Sequence, residues 1–252
     1  MAQPLEEWLD GEVAELSKLE VGELSNTFFF RDPLRPHYID YNHFYSPADG
    51  VILYQNVVKP DEQVVEIKGV NYTLKDVLGD KKYDKPSLVI GIFMSFYDVH
   101  INRIPYSGIL KYKSLEPIQS TNRPMLATEK DILNMAINPN NLEYLKYNER
   151  MLNTIYSPQL DYTYHLVQIA DEDVNVIAPF INHQNAPVSQ NERFSLIRWG
   201  SQVELVLPLD ERYDFTTLLD NEFHVNAGLD KLVHINFKND PFQQHSQSRS
   251  NL

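Results

Sequence analysis

Residues 194–208 read FSLIRWGSQVELVLP, two runs of β-forming residues joined by Gly200 and Ser201. Aromatic and branched apolar residues dominate both runs, which is typical of strands packed on a core. A glycine inside such a run indicates a β-bulge or a close approach of another backbone. The neighbouring residues carry no obvious turn chemistry, so an ordinary turn does not explain this interruption.

Similar short β-rich runs recur along the rest of the chain. They lie at residues 51–57, 63–67, 87–94, 151–157, 163–169 and 232–237. We therefore predict an α+β fold that is predominantly antiparallel β and forms a single domain over residues 1–252. The last residues, 239–252, are almost all polar, which predicts a flexible tail.

Two helices are expected beside these strands. Apolar residues between positions 5 and 19 repeat at helical spacing, which predicts an N-terminal amphipathic helix packed on the sheet. An alternative is an interfacial helix that touches lipid with the edge of Trp8. Thr128 and Asp131 have capping-box spacing, which predicts the start of a second, shorter helix.

Composition excludes several classes of function. The chain has 252 residues, a net charge of -13 and no cysteine. The acidic balance argues against nucleic-acid binding, and the lack of cysteine excludes disulfides, thiolate zinc sites and a cysteine nucleophile. The eight histidines lack metal-ligand spacing, so we expect no metal. No apolar run is long enough to span a membrane, and we expect a cytoplasmic protein.

Three polar residues are candidates for a functional role, although each also has a structural interpretation. His100 follows the apolar run 88–96 and is expected near a strand end, where hydrogen-bonded structural histidines are common. Asp49 precedes Gly50, as a turn residue would. Ser201 lacks the flanking glycines of a serine-hydrolase elbow. None of the three is diagnostic alone.

Their order along the chain is more specific. The chain resembles the phosphatidylserine decarboxylase family over residues 40–237, through motifs that recur in register. These are SPADG at 46–50, DVHINRIP at 98–105, NER at 148–150, WGS at 199–201 and VNAG at 225–228.

The resemblance implies that the chain makes its own prosthetic group. Ser201 would attack the Gly200 carbonyl, with His100 as base and Asp49 orienting the imidazole. Elimination and hydrolysis would then convert Ser201 into a covalent pyruvoyl group, leaving a β chain of residues 1–200 and an α chain of residues 201–252. No metal or pyridoxal phosphate would be needed.

The implied reaction is decarboxylation of phosphatidylserine through a Schiff base, with His100 returning a proton. Asn102, Arg103 and Trp199 are candidates for substrate binding, and a salt bridge beside the strand is the alternative for Asn102 and Arg103. We expect Asn148, Glu149 and Arg150 to be structural. The family analogy also predicts peripheral membrane contact and a homodimer.

The chain departs from the family before the cleavage site. Asp171 stands where the family has a glycine after its Gln-Ile-Ala run, and Val174-Asn175-Val176-Ile177 replaces an Ala-Arg-Arg-Ile segment. Two basic residues that could meet a phosphate are thereby lost. A soluble amino acid or a peptide-derived amine therefore remains an alternative substrate, and a catalytically silent binding module is a second alternative.

Overall fold

A computed structural model describes residues 1–24, 28, 30–37, 39–115, 121–172, 176–198 and 200–238. Trp199 and the predicted tail, 239–252, lie outside these residues. The described strands are β1 (Gln3–Pro4), β2 (His43–Tyr45), β3 (Gly50–Val58), β4 (Ser87–Met94), β5 (Ile101–Arg103), β6 (Gly108–Leu115), β7 (Arg150–Ser157), β8 (Tyr162–Ala170), β9 (Ile177–Pro179), β10 (Ala186–Val188), β11 (Arg193–Ile197), β12 (Ser201–Pro208), β13 (Tyr213–Thr217), β14 (Phe223–Val225) and β15 (Lys231–Phe237).

The helices are short. They are α1 (Leu5–Trp8), a π-helical segment (Leu9–Val13), α2 (Ala14–Leu16), α3 (Val21–Glu23), α4 (Leu74–Val77), α5 (Leu126–Leu133), a 3-10 turn (Pro139–Asn141) and α6 (Tyr144–Tyr147). Among the described residues, no helix has the length and apolar character to cross a membrane.

The strands form three sheets. The largest has nine strands in the order β1-β14-β3-β4-β12-β8-β7-β6-β10, and two smaller sheets have the orders β5-β11-β9 and β13-β15-β2. Every pairing between the described strands is antiparallel. The predicted α+β class with predominantly antiparallel strands is confirmed.

The nine-stranded sheet separates two apolar clusters. One face packs against a cluster that includes Phe44 and Phe194 from the small sheets, and the other packs against a cluster that includes Trp8 and Ile132 from the helices. Strands β4 and β12 are buried at every position. Because both faces are covered, β4 is a nearly continuous apolar run, whereas β12 also buries the polar side chains of Gln202 and Glu204.

The N-terminal helix packs on the sheet as predicted. Leu5 and Trp8 are 3% and 1% exposed and belong to the helix-side cluster. Trp8 is therefore a core residue, and the alternative in which its edge meets lipid is wrong. The helix is also interrupted, since a π-helical segment follows Trp8.

Two local predictions were wrong because tertiary contacts outweigh local signals. Residues 63–67 do not form a strand but fold back as a loop, closed by a hydrogen bond from the Val64 N–H to the Tyr72 carbonyl (2.8 Å). Helix α5 begins at Leu126, so Thr128 lies inside it. Its start is set by the Met125 N–H, which donates to Asp171 Oδ1 at 2.8 Å.

Candidate active site

Ser201 is the first residue of β12 and lies between two neighbouring strands. It pairs with Met94 of β4 and with Ala170 of β8. The side chain is fully buried, and its Oγ lies 3.3 Å from Met94 Sδ and 3.4 Å from His100 Nδ1. The sheet register therefore brings a hydroxyl and an imidazole together that are 101 positions apart in the chain.

His100 is held by its other ring nitrogen. It lies just before β5, is fully buried, and its Nε2 is 2.9 Å from the Ser95 carbonyl oxygen. A carbonyl oxygen only accepts hydrogen bonds, so Nε2 carries a proton. In a neutral ring Nδ1 then presents a lone pair towards Ser201. This is the arrangement that a serine nucleophile and its general base require.

Burial keeps this imidazole neutral. Desolvation lowers the pKa of His100 to about 4, while the Ser95 backbone and the carboxylates of Asp98 and Asp49 act in the opposite direction. At neutral pH the ring is therefore in the unprotonated form that can accept a proton from a hydroxyl.

Asp49 is bound mainly by an arginine. Its Oδ1 and Oδ2 lie 2.6 and 2.7 Å from the two terminal nitrogens of Arg35, and Oδ1 also accepts the Ala227 N–H at 2.8 Å. Gly50 follows with φ +147°, a backbone that would clash with the Phe93 carbonyl if a Cβ were present. Asp49 acts on His100 through its charge, and its role in orienting the ring stays a prediction.

A second carboxylate, which the sequence did not single out, is linked to His100 through Ser95. Asp98 Oδ2 accepts both the N–H and the Oγ–H of Ser95 at 2.7 Å. Asp98 Oδ1 lies 2.6 Å from His224 Nε2 on β14. The Asp-Val-His spacing was a signal for Asp98, and the VNAG motif begins directly after His224, although the motif itself does not include this histidine.

Asn102 and Arg103 line the same buried region. The Asn102 side chain accepts a hydrogen bond from Gln168 Nε2 at 2.7 Å and contacts Met94 Sδ at 3.5 Å. Arg103 is 4% exposed; one terminal nitrogen donates to the Asn191 carbonyl at 3.0 Å and the other to Asp32 at 3.4 Å. The salt-bridge interpretation thus has a partner for Arg103, and substrate binding by either residue stays a prediction.

The departure at Asp171 lies directly beside the predicted scissile bond. A Cβ placed on Gly200 would be 2.8 Å from Asp171 Oδ2. The other oxygen, Oδ1, accepts the backbone N–H groups of Met125 and Glu172. Gly200 thus permits the close approach that a glycine inside a β run indicates. The group that approaches is the Asp171 carboxylate and not a backbone.

The remaining motif residues are held by backbone groups. Asn148 binds both the N–H and the carbonyl of Arg123, and its amide also donates to the Ala170 carbonyl at 2.8 Å. Arg150 donates to the Asp76 carbonyl at 2.7 Å. The Asn148 contact holds the end of β8 next to Ser201. Within the described ranges, no three His, Asp or Glu side chains are grouped so that they could hold a metal ion.

Comparison with known proteins identifies the family. The family model for phosphatidylserine decarboxylase matches residues 25–232. A phosphatidylserine decarboxylase proenzyme of Wolbachia pipientis wMel is 32% identical over 192 residues, which cover 73% of this chain and 66% of the relative. Proteins of the same name from Erythrobacter litoralis and Cytophaga hutchinsonii are 32% and 27% identical, over 77% and 73% of this chain.

These matches span about two thirds of the relatives' length, 66% in the first two and 67% in the third. The matched region contains the buried Ser201–His100 pair and the strands that hold it. The chain therefore belongs to the phosphatidylserine decarboxylase family, whose named members are decarboxylase proenzymes.

Proposed function

We propose that this chain is a self-processing, pyruvoyl-dependent decarboxylase that is cut between Gly200 and Ser201. One observation carries the proposal: the buried Ser201 Oγ lies 3.4 Å from Nδ1 of His100, whose Nε2 is tied to the Ser95 carbonyl. A separation of 3.4 Å is loose for a hydrogen bond, but such contacts commonly tighten only when the reaction begins.

The cleavage proceeds by acyl transfer. His100 Nδ1 takes the proton of the Ser201 hydroxyl, Oγ bonds to the Gly200 carbonyl carbon, and the amide nitrogen leaves with that proton. An ester now joins Gly200 to Ser201. Loss of the Ser201 α-proton breaks the Cβ–Oγ bond, which releases Gly200 as a carboxylate and leaves dehydroalanine. Addition of water and loss of ammonia give the pyruvoyl group.

The surrounding residues fit this group. Ser201 is the first residue of β12, so the cut places the new terminus at the start of this strand and removes no strand from the sheet. When formed, the pyruvoyl ketone captures a primary amine and accepts electrons as carbon dioxide leaves. His100 holds or returns a proton beside it, and Arg103 offers a cation for an anionic part of the substrate.

The two products are expected to stay together. Residues 201–238 contribute β12 to β15, and β12 lies between β4 and β8 in the largest sheet. Separating the fragments would expose a strand that is buried at all eight positions. Because such burial is strongly favourable, the cut chain should behave as one particle until it is denatured.

We propose phosphatidylserine as the substrate, with support from the names of the relatives. A soluble amine is the second candidate, because the carboxylate of Asp171 lies beside Gly200 and would repel a phosphate. Peripheral membrane contact, a homodimer, a cytoplasmic location and a single domain over residues 1–252 stay predictions.

Denaturing electrophoresis and intact mass measurement test the processing. We expect fragments of residues 1–200 and 201–252, with the second lighter by one ammonia than a fragment that begins with serine. Ser201→Ala should give one intact chain. His165→Gln, a change to a histidine near the far end of β12, should be processed normally. An intact wild-type chain with unmodified Ser201 would instead favour the silent binding module.

The substrate is tested on the processed protein. Carbon dioxide release from phosphatidylserine vesicles is compared with release from a panel of free amino acids, with Ser201→Ala as the blank. Release from vesicles supports the lipid. Release from the free amino acids alone would replace it with the soluble amine.

A further inference from the structure

His224 reaches the catalytic histidine through a continuous series of hydrogen bonds. His224 Nε2 lies 2.6 Å from Asp98 Oδ1, and Asp98 Oδ2 accepts the N–H and Oγ–H of Ser95. The Ser95 carbonyl in turn accepts the Nε2–H of His100. All four residues are at most 2% exposed, so water does not compete with these contacts.

The pKa values of the two histidines of this series shift in opposite directions because their neighbours differ. Burial lowers the pKa of His224, but the Asp98 carboxylate outweighs burial and the pKa is raised overall. The pKa of Asp98 is correspondingly lowered, despite its burial, mainly by the charge of His224. His100, with a pKa lowered to about 4, stays neutral. These neighbours thus favour the protonated form of His224 and the neutral form of His100.

The charged groups around His224 come from several elements. Asp49 before β3 and Glu12 in the π-helical segment add to the effect of Asp98 on its pKa. Arg31 is also near, since the same three carboxylates act on its guanidinium, and it donates to the Tyr97 carbonyl at 3.1 Å.

The N-terminal segment, residues 3–13, covers the other side of His224. Gln3 pairs with His224 in the sheet, and the Leu5 N–H donates to the Glu222 carbonyl at 2.8 Å. Trp8 stacks on the imidazole, with ring centroids 4.3 Å apart and planes 9° apart. Among the described contacts, His224 Nδ1 has no hydrogen-bond partner. The Trp8 ring face is therefore the group positioned to stabilise a buried imidazolium.

We infer that His224 and Asp98 are a positioning pair for His100, and that the N-terminal segment completes this pair through Trp8. The inference rests on the proposed self-cleavage. The pair holds the Ser95 carbonyl where it fixes the Nε2–H form of His100, so that Nδ1 faces Ser201. The N-terminal segment is then part of the processing apparatus and not only a cover for the sheet.

The first test needs no cleavage. In Ser201→Ala protein, 15N NMR titration reports the pKa of His224 and the protonated nitrogen of His100, with His224→Gln and His100→Gln for assignment. We expect a raised pKa at His224 and a proton on His100 Nε2. Asp98→Asn should lower the His224 pKa and give His100 a mixture of the two neutral forms. An unchanged His224 pKa and unchanged His100 form in Asp98→Asn would overturn the inference.

The second test measures self-cleavage in chains that retain Ser201. Asp98→Asn should slow cleavage by about tenfold or more, as loss of an outer-shell partner of a functional histidine does. It should also move the acid limb of the rate to lower pH, because the Asp98 carboxylate raises the His100 pKa and its removal lowers that pKa. A slower rate with an unmoved limb would mean a structural role only.

Trp8 variants test the N-terminal segment. Trp8→Leu should lower the His224 pKa and slow cleavage, whereas Trp8→Phe, which keeps a ring face, should have smaller effects. Val13→Ala is the matched control, because it removes buried apolar volume from the same segment without touching His224. Equal rates for Trp8→Leu and Val13→Ala would refute the role of the segment.

If Asp98→Asn does not fold, a double variant still tests the inference. Asp98→Asn/His224→Gln removes both buried charges and retains a hydrogen bond, so no charge is left unpaired. It should fold and cleave slowly, and cleavage at the wild-type rate would overturn the inference. If the wild-type chain does not cleave but the titrations behave as expected, the proposed function fails and the pairing stands.

Discussion

Replacing the buried His100 should change how stability depends on pH, and the size of the change follows from its pKa. The side chain is fully buried and its pKa is lowered from 6.5 to about 4. Between these values the unfolded chain binds a proton that the folded chain does not, so the free energy of unfolding falls as the pH falls. Lowering the pH from 7 to 5 should therefore reduce the free energy of unfolding by about 2 kcal/mol through this one residue.

The assay is urea denaturation of two uncleavable proteins, Ser201→Ala and Ser201→Ala/His100→Gln, at pH 7 and pH 5. Other titrating groups are common to both proteins and cancel in the comparison. The protein that retains His100 should lose about 2 kcal/mol more between the two pH values. His165→Gln is the control, since the pKa of His165 is also lowered to about 4. His165→Gln should likewise reduce the loss of stability between pH 7 and pH 5. In the chain that retains Ser201, the same change should leave self-cleavage unaffected.

Equal pH dependence in the two proteins would refute the reasoning. A second check uses the chain that retains Ser201. Because His100 stays neutral down to about pH 4, self-cleavage should remain fast at pH 5.5. A rate that falls by half near pH 6.5 would show that the imidazole titrates like an exposed histidine.

Three further predictions concern the residues around the site. Gly200→Ala should slow self-cleavage by up to about 100-fold, because its Cβ would press on Asp171 Oδ2, and fragment formation over time measures it. Burial raises the pKa of Glu129 to about 8, so stability should fall as the pH rises from about 4.5 towards 8. In urea titrations Glu129→Gln should remove this loss and be more stable than its parent at pH 8. Arg35→Met should cost about 3–5 kcal/mol in Ser201→Ala protein, because the buried Asp49 loses its partner, and Arg35→Met/Asp49→Asn should recover part of it.

Sequence patterns predicted the regular strands well and the loops poorly. Strands β3, β4, β7, β8 and β12 lie within one residue of the predicted runs, because strands that pack on a core are rich in branched and aromatic apolar residues. The run at 63–67 also buries Val64, Val65 and Ile67 but forms a loop that packs in the same cluster as the helices. Burial explains both outcomes, and a local pattern reports burial more reliably than it reports pairing.

The order of motifs was enough to predict the family and to choose Asp49, His100 and Ser201. Those three predictions came from the kinds of residues present and their order, which a linear sequence contains. The partners of these residues could not be predicted in the same way. Arg35 on Asp49 and Ser95 on His100 depend on backbone positions that only the folded chain defines.

By itself, then, the sequence determined the fold class and the family, and it predicted a nucleophile and its base, because apolar periodicity and ordered motifs are local properties. The tertiary structure decided that His100 is neutral, that His224 and Trp8 lie behind it, and that Asp171 lies beside Gly200. The physical reason is that charge state and contact depend on desolvation and distance in space. Neither quantity is fixed until β4, β8, β12 and β14 are assembled into one sheet.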